Sequence, residues 1–395
     1  MLIAASSSEN MATATNGFHP VRSYQQCTRC VMDTSDPEIS FDSAGRCHHC
    51  AQFLRTRSKY GYSGAESDRA LEQLVDDIKA AGKGRQYDCV IGVSGGVDSS
   101  FLAYTAKDLG LRALAVHMDN GWDSELAVTN IMNVVTGLGF DYQSYVLDWE
   151  EFRDLQLAFL RASVPEAETP TDVAIPAALH HFAAKYDVKY ILSGGNLATE
   201  GILPKSWHYD AKDERYLRSI HGKFGTVPLK KFPTFGYKKE IYYKLIKGIR
   251  IVYPLNHIRF SKERAAELLS TEFGWRDYGG KHHESRYTKF IHTYYLVKKF
   301  DIDYRRLGLS LQICEGLISR DEAIEQLKRS PYDPAETRCD MQYIAKKLKI
   351  TSEELDRLTE TPPRWYWQFP NNERKLRFIY NSYRRLYKKE KIDRF

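Results

Sequence analysis

Cys89-Val90-Ile91-Gly92-Val93-Ser94-Gly95-Gly96-Val97-Asp98-Ser99-Ser100 reads as a short apolar strand, a two-glycine turn and the opening of a helix. The helix runs from Asp98 to Leu109 and is closed by Gly110. Gly95 and Gly96 let the backbone approach a ligand closely. The helix amides point outward with partial positive charge, and Ser94, Ser99 and Ser100 add hydroxyl donors, so the turn is built for phosphate. A loop that hydrolyses a γ-phosphate needs a longer glycine stretch followed by Lys and then Ser or Thr. The Gly-Lys pairs at Gly82, Gly222 and Gly280 all lie in other contexts.

Outward from this stretch the pattern repeats. Leu114 to Met118 reads as a second strand, Ser124 caps a helix that runs to Gly139, and Tyr142 to Leu147 is a third strand. A helix from Glu150 to Ala162 precedes a proline-containing loop, Val164 to Thr171, and a helix from Val173 to Tyr186. Lys189 to Leu192 is a fourth strand, ending in Ser193-Gly194-Gly195-Asn196. The alternation predicts an α/β fold, a parallel sheet with helices on both faces and ligands at the carboxyl ends of the strands. On the amino side, Leu71, Leu74, Val75 and Ile78 mark a helix from Ser67 to Ala81. Beyond about residue 240 the strands give out and helical patterns dominate, most clearly over Phe290–Phe300 and Ser319–Lys328. From Arg374 to Phe395, nine Lys or Arg and two acids interleave with apolar residues as a basic amphipathic helix.

The chain has 395 residues, 43% of them hydrophobic, enough for two domains and not disordered, and a net charge of +6 that suits a nucleotide-handling enzyme as well as a nucleic-acid binder. No run of 18 apolar residues is present, which predicts no membrane span and a cytoplasmic setting. Residues 1–23 read as a disordered leader, 24–62 as a Cys-rich module, 63–240 as the nucleotide domain and 241–395 as a mainly helical C-terminal region that holds substrate- and partner-binding elements. Within the Cys-rich module, Cys27-x-x-Cys30 and Cys47-x-x-Cys50 are separated by sixteen residues. Four soft ligands at this spacing suit a structural zinc ion in a zinc-ribbon-like fold, with an iron–sulfur cluster the second choice. His48 and His49, between the second pair, could substitute as ligands but read first as exposed spares. The other three cysteines, Cys89, Cys314 and Cys339, lack a glycine elbow or a paired His, so none reads as a nucleophile.

Residues 94–100 resemble the signature of the ATP pyrophosphatase, or PP-loop, superfamily, over about residues 86–200. Members cleave ATP between the α- and β-phosphates and adenylate an oxygen. The resemblance implies ATP and Mg2+, with Ser94, Gly95, Gly96, Val97, Asp98, Ser99, Ser100, Asp119, Asn120, Gly194, Gly195 and Asn196 at the nucleotide and Asp98 orienting the loop or the metal. A further stretch, Gly279-Gly280-Lys281-His282-His283-Glu284-Ser285-Arg286, opens a helix from Tyr287 to Lys298. Lys281, Ser285 and Lys289 fall four apart there, a pattern that by itself reads as a solvated charge run.

In order, the Cys motifs, the PP-loop, Asp119-Asn120-Gly121-Trp122, Gly194–Gly201 and Gly279–Phe290 together resemble the N-acetyl sugar amidotransferase family of bacterial surface-polysaccharide, O-antigen and lipopolysaccharide biosynthesis. That resemblance implies conversion of an acetamido group on a nucleotide-linked N-acetyl sugar to an acetamidino group. It places Lys281, His282, Glu284 and Ser285 at the sugar, with Lys281, His282 and Glu284 joining Asp98 as catalytic residues. Ammonia is expected from a separate glutaminase, similar to the paired glutaminase and cyclase-like subunits of histidine biosynthesis. The rival expectation is a tRNA-thiolating PP-loop enzyme; nucleic acid is the weaker expectation because no second Cys-x-x-Cys follows Ser94.

Overall fold

The computed structural model describes residues 23–60, 64–279 and 284–387. The first helices are α1 (His48–Tyr60) and α2 (Ala65–Gly82). The central elements then alternate: β1 (Cys89–Gly92), α3 (Val97–Asp108), β2 (Ala113–Asp119), α4 (Glu125–Leu138), β3 (Asp141–Val146), α5 (Trp149–Ala162), α6 (Thr169–Lys185) and β4 (Tyr190–Leu192). After α7 (Leu197–Glu200), α8 (Glu214–Phe224) and α9 (Tyr237–Ile241), a last strand β5 (Arg250–Val252) leads to α10 (Lys262–Phe273). The rest is helical: α11 (Arg286–Phe290), α12 (Leu296–Phe300), α13 (Arg305–Cys314), α14 (Arg320–Lys328), α15 (Pro334–Leu348), α16 (Ser352–Glu360) and α17 (Glu373–Tyr387). No helix among the described residues is long and apolar enough to cross a membrane.

The five strands form one parallel sheet in the order β3-β2-β1-β4-β5. β1 is central and buried, Cys89 opposite Ala113 on one side and Tyr190 on the other. The strand order reverses between β1 and β4, and at such a switch point the two following loops diverge to opposite faces and open a crevice. Both glycine turns, Ser94–Gly96 and Ser193–Asn196, stand at that crevice. The expected parallel sheet with helices on both faces is therefore present.

Three elements differ from the sequence reading. β5 lies beyond residue 240, where strands were expected to have ended; it is a three-residue edge strand, half-exposed, too short to show a periodic pattern. α6 starts at Thr169, so part of the expected Val164–Thr171 loop is its first turn, with Pro170 at a position where a missing amide costs nothing. The stretch from Arg286 to Phe300 is one helix with a π-helical turn at Ile291–Tyr295.

Two cores meet at the site. One packs α2, α3 and α10 on one face of the sheet through Ile78, Leu102, Leu269 and Trp275. The other joins α5 and α6 to the Cys-rich module and the C-terminal helices through Phe53, Phe159, Tyr287, Tyr295 and Ile344. The module is pinned to α13 and α14: Arg306 pairs with Asp33 at 2.8 Å, and Arg320 donates to the carbonyls of Cys27 and Cys30, both at 3.2 Å.

Candidate active site and metal centre

The turn after β1 holds its shape through its own hydroxyls. The Ser94 amide donates to Ser99 Oγ (3.2 Å), the Gly96 amide to Ser94 Oγ (3.3 Å), and Ser99 Oγ to the Gly96 carbonyl (3.1 Å). The N-cap residue of α3, Gly96, has no side chain to bond the first turn, which leaves amides beyond that of Val97 to other acceptors. Gly95 adopts φ +80°, and a Cβ there would stand 2.5 Å from the Ala127 carbonyl oxygen. The Gly95 carbonyl accepts from the indole of buried Trp275 at 2.9 Å. At Gly194 a Cβ would stand 3.1 Å from the Asp98 carbonyl, so the two glycine turns touch through backbone.

Around these turns the expected nucleotide residues fall into three groups. Ser94, Gly95, Gly96, Val97, Asp98, Ser99 and Ser100 form the loop and first helical turn, and Asp98 accepts from Thr199 Oγ1 at 3.4 Å. Asp119 and Asn120 end β2 with their side chains turned to local backbone: Asp119 accepts from the Gly121 amide at 2.8 Å and Asn120 from the Trp122 amide at 3.0 Å. Asn196 is fully buried and caps α7 by accepting from the Thr199 amide at 2.9 Å. Gly194 and Gly195 supply the turn itself.

Residues 122–124 pair in antiparallel fashion with 284–286, Asp123 bridging Ser285 and the Ser124 amide donating to the Glu284 carbonyl at 2.8 Å. This pairing carries Glu284 across to the loop, its Oε1 3.6 Å from where a Gly96 Cβ would be, beside the Tyr278 hydroxyl at 3.1 Å. Burial first, then the charges of Glu284 and Asp98, push the Tyr278 hydroxyl well above its ordinary range, and it meets the Val97 amide. Ser285 caps α11 by accepting from the Thr288 amide at 3.2 Å. Lys289 does not face an open anion site: it pairs with Asp340 at 3.2 Å and with Glu336, both on α15. Of the expected set Lys281, Ser285 and Lys289, Ser285 is the cap of this helix and Lys289 lies in its first turns. Lys281 and His282 lie outside the described residues.

Beneath Glu284 lies a set of acids that sequence reading missed. Glu168, the residue before α6, hydrogen-bonds Thr171 and Thr288, and burial first, then the Asp172 charge, push it up to about 8. Its Oε1 is buried with no hydrogen-bond partner. Asp172 faces His208 at 3.6 Å. Asn120 donates to Thr171 Oγ1 at 3.5 Å, which ties this set to the turn after β2. Single acids in a proline-bearing loop carry no spacing signal. Only the early start of α6 and the helix at Arg286 bring them together.

The four expected metal ligands converge. The sulfurs of Cys27, Cys30, Cys47 and Cys50 are buried and lie within 4.8 Å of one another, with Cys27–Cys50 at 3.8 Å and Cys30–Cys47 at 3.5 Å. A tetrahedral ion with zinc–sulfur bonds of about 2.3 Å sets its sulfurs about 3.8 Å apart, so the donor set fits one zinc ion. A four-iron cluster, with an iron behind each sulfur, needs a wider cage. Cys27 Sγ also accepts from the Cys47 amide at 3.1 Å and the Cys30 amide at 3.4 Å, as a thiolate would. His49 is not an exposed spare: it is buried and bonds Asp36 at 2.7 Å. Asp36 in turn accepts from Ser206 Oγ at 2.6 Å, and Phe53 packs where a Gly201 Cβ would come within 2.7 Å of its ring. The module thereby braces residues 197–208, the segment that carries Thr199 and His208 to the crevice.

Residues 69–158 match a family model described as NAD synthase, and residues 284–386 match one described as LPS biosynthesis protein WbpG-like, C-terminal domain. No curated protein matches the chain. Among solved structures the chain is similar to the NH3-dependent NAD synthetase from Campylobacter jejuni subsp. jejuni, at 17% identity over 71% of this chain and 96% of that one, TM-score 0.31. NMN synthetase from Francisella tularensis is similar at 14% identity over 56% of this chain and 96% of that one, TM-score 0.28. So is the U34-tRNA thiolase NcsA from Methanococcus maripaludis, at 15% identity over 77% of this chain and 89% of that one, TM-score 0.31. Such low scores add nothing to a fold that rests on the sheet itself.

Proposed function

We propose, for a chain that joins an ATP-using PP-loop domain of the NAD synthase kind to a WbpG-like lipopolysaccharide biosynthesis domain, that it converts an acetamido group of a nucleotide-linked N-acetyl sugar into an acetamidino group. The observation that carries the reading is the pairing of residues 122–124 with 284–286, which sets Glu284 from the C-terminal domain over the phosphate-binding turn of the nucleotide domain. One site then serves both an ATP α-phosphate and a second substrate.

An amide carbonyl is a poor electrophile, and its oxygen must become a leaving group before nitrogen can replace it. The uncapped amides of α3 receive the pyrophosphate portion of ATP and hold it as the amide oxygen attacks the α-phosphorus. Asp98, beside the Thr199 hydroxyl, offers hard oxygen donors fit for magnesium, which when bound neutralises phosphate charge. Glu284, with Lys281 and His282, orients the sugar. Ammonia then displaces AMP. Its source is a separate glutaminase, since Cys89 is buried in β1 and burial pushes Cys314 up to about 12, which leaves both poor nucleophiles. The same facts weigh against a thiolation reading in which a free thiolate carries sulfur at the turn. The Cys module holds a structural zinc ion.

The test is incubation with ATP, magnesium, an ammonium salt and a panel of nucleotide-linked N-acetyl sugars. Mass spectrometry is expected to show replacement of one oxygen by NH in one sugar, with AMP and pyrophosphate formed in equal amounts. ADP and orthophosphate as products, or AMP formed with no sugar altered, refute the proposal.

A further inference from the structure

Glu168 and Asp172, four residues apart at the start of α6, and Glu284, from the far side of the chain, come close enough for the last two charges to act on the Glu168 carboxyl. His208 stands 3.6 Å from Asp172. Acids alone would not make a site. Two further observations point to a small ligand: Glu168 Oε1 is buried with no hydrogen-bond partner, and so is the hydroxyl of Tyr287, which is fully buried and within reach of the Glu168 charge. A carboxyl oxygen and a phenol left unsatisfied in the same protein interior mark a place for a small molecule that can donate several hydrogen bonds. Thr171 and Thr288 hold the carboxyl in place from α6 and α11.

Resting on the amidotransferase reading, we infer that Glu168 binds the incoming ammonium ion and takes its proton, with Asp172 and Glu284 supplying the negative field that draws the cation in. The proton passes from ammonium to the Glu168 carboxylate, and the freed lone pair of ammonia forms a C–N bond to the adenylated imidoyl carbon. The C–O bond to AMP then breaks, its electron pair leaving with AMP, while one proton moves from the added nitrogen to the sugar nitrogen to give an amidinium. Glu168 returns its proton to solvent. A carboxyl raised toward the pH of ammonium's own equilibrium suits this role, since a proton acceptor works best with a pKa near the operating pH.

The experiment compares wild type with Glu168→Gln by two assays. Sugar-dependent exchange of labelled pyrophosphate into ATP reads the adenylation step, and amidine formation from ammonium chloride at pH 7 and pH 9 reads the whole reaction. Glu168→Gln is expected to keep the exchange, to lose amidine formation by about 100-fold at pH 7, and to recover most of it at pH 9, where free ammonia is far more abundant. Wild-type amidine formation by the variant at pH 7, an equal defect at both pH values, or loss of the exchange itself overturns the assignment. Thr288→Val, which removes a hydroxyl holding the carboxyl, gives a second arm: it is expected to raise the KM for ammonium without slowing exchange, and an unchanged KM counts against it. A wild-type protein with no sugar-dependent exchange refutes the amidotransferase reading instead, and this inference falls with it.

Discussion

Replacing Gly95 by Ala separates the strain of an unusual backbone from the geometry the phosphate needs. Gly95 and Gly139 both have positive φ, +80° and +66°. Placing an L side chain in that region costs about 1–2 kcal/mol at either position. Gly139 has nothing within 4 Å of a new Cβ, whereas at Gly95 the Cβ would meet the Ala127 carbonyl oxygen at 2.5 Å. Real Cβ contacts stop near 3.0 Å, so the turn or α4 must retreat by at least 0.5 Å. A misplacement of about 1 Å can cost about 100-fold in rate, so half of that predicts a loss of about tenfold or more in pyrophosphate release at fixed ATP. Thermal melts and pyrophosphate release, measured on both variants, make the comparison. Gly139→Ala is expected to melt slightly lower at unchanged activity, and Gly95→Ala to lose stability and activity together. If Gly95→Ala releases pyrophosphate at the wild-type rate, the turn does not grip phosphate as described.

Cys47→Ser is expected to lower bound zinc from one per chain to near zero, with a fall in melting temperature and in ATP turnover, because the module braces the segment that carries Thr199 and His208; full turnover in zinc-free protein would refute the link. Glu166 is buried, bonded to Tyr216 at 2.9 Å, and pushed by burial up to about 8. Its folded value lies above its unfolded one, so the folded state holds the extra proton. Its contribution is complete below about pH 4.5 and is lost as pH rises toward 8, at about 1.4 kcal/mol per pH unit. Denaturant unfolding from pH 5 to 8 is expected to show this decline, and Glu166→Gln to flatten it; an unchanged slope in the variant assigns the decline elsewhere.

The local order of strand, glycine turn and helix was legible from residue 89 onward, because hydrophobic period and turn chemistry are written over a few neighbours. The four-cysteine set was legible for the same reason: two short spacings fix which thiols can reach one ion. Glu284 was reachable through its motif, but not its position over Gly96, which depends on a two-residue β-pairing with Asp123–Ser124. Glu168, Asp172, Tyr278 and Trp275 gave no signal, being ordinary residues whose partners lie elsewhere in the chain: Thr288 for Glu168, His208 for Asp172, Val97 for Tyr278 and Gly95 for Trp275. What sequence alone determined here is the set of elements that can form, since propensity and periodicity act over a turn or two of chain. Which acids share a crevice, which lysine is spent on α15 and where the Cys module leans were decided only by tertiary packing, because those contacts follow from burying several apolar faces at once.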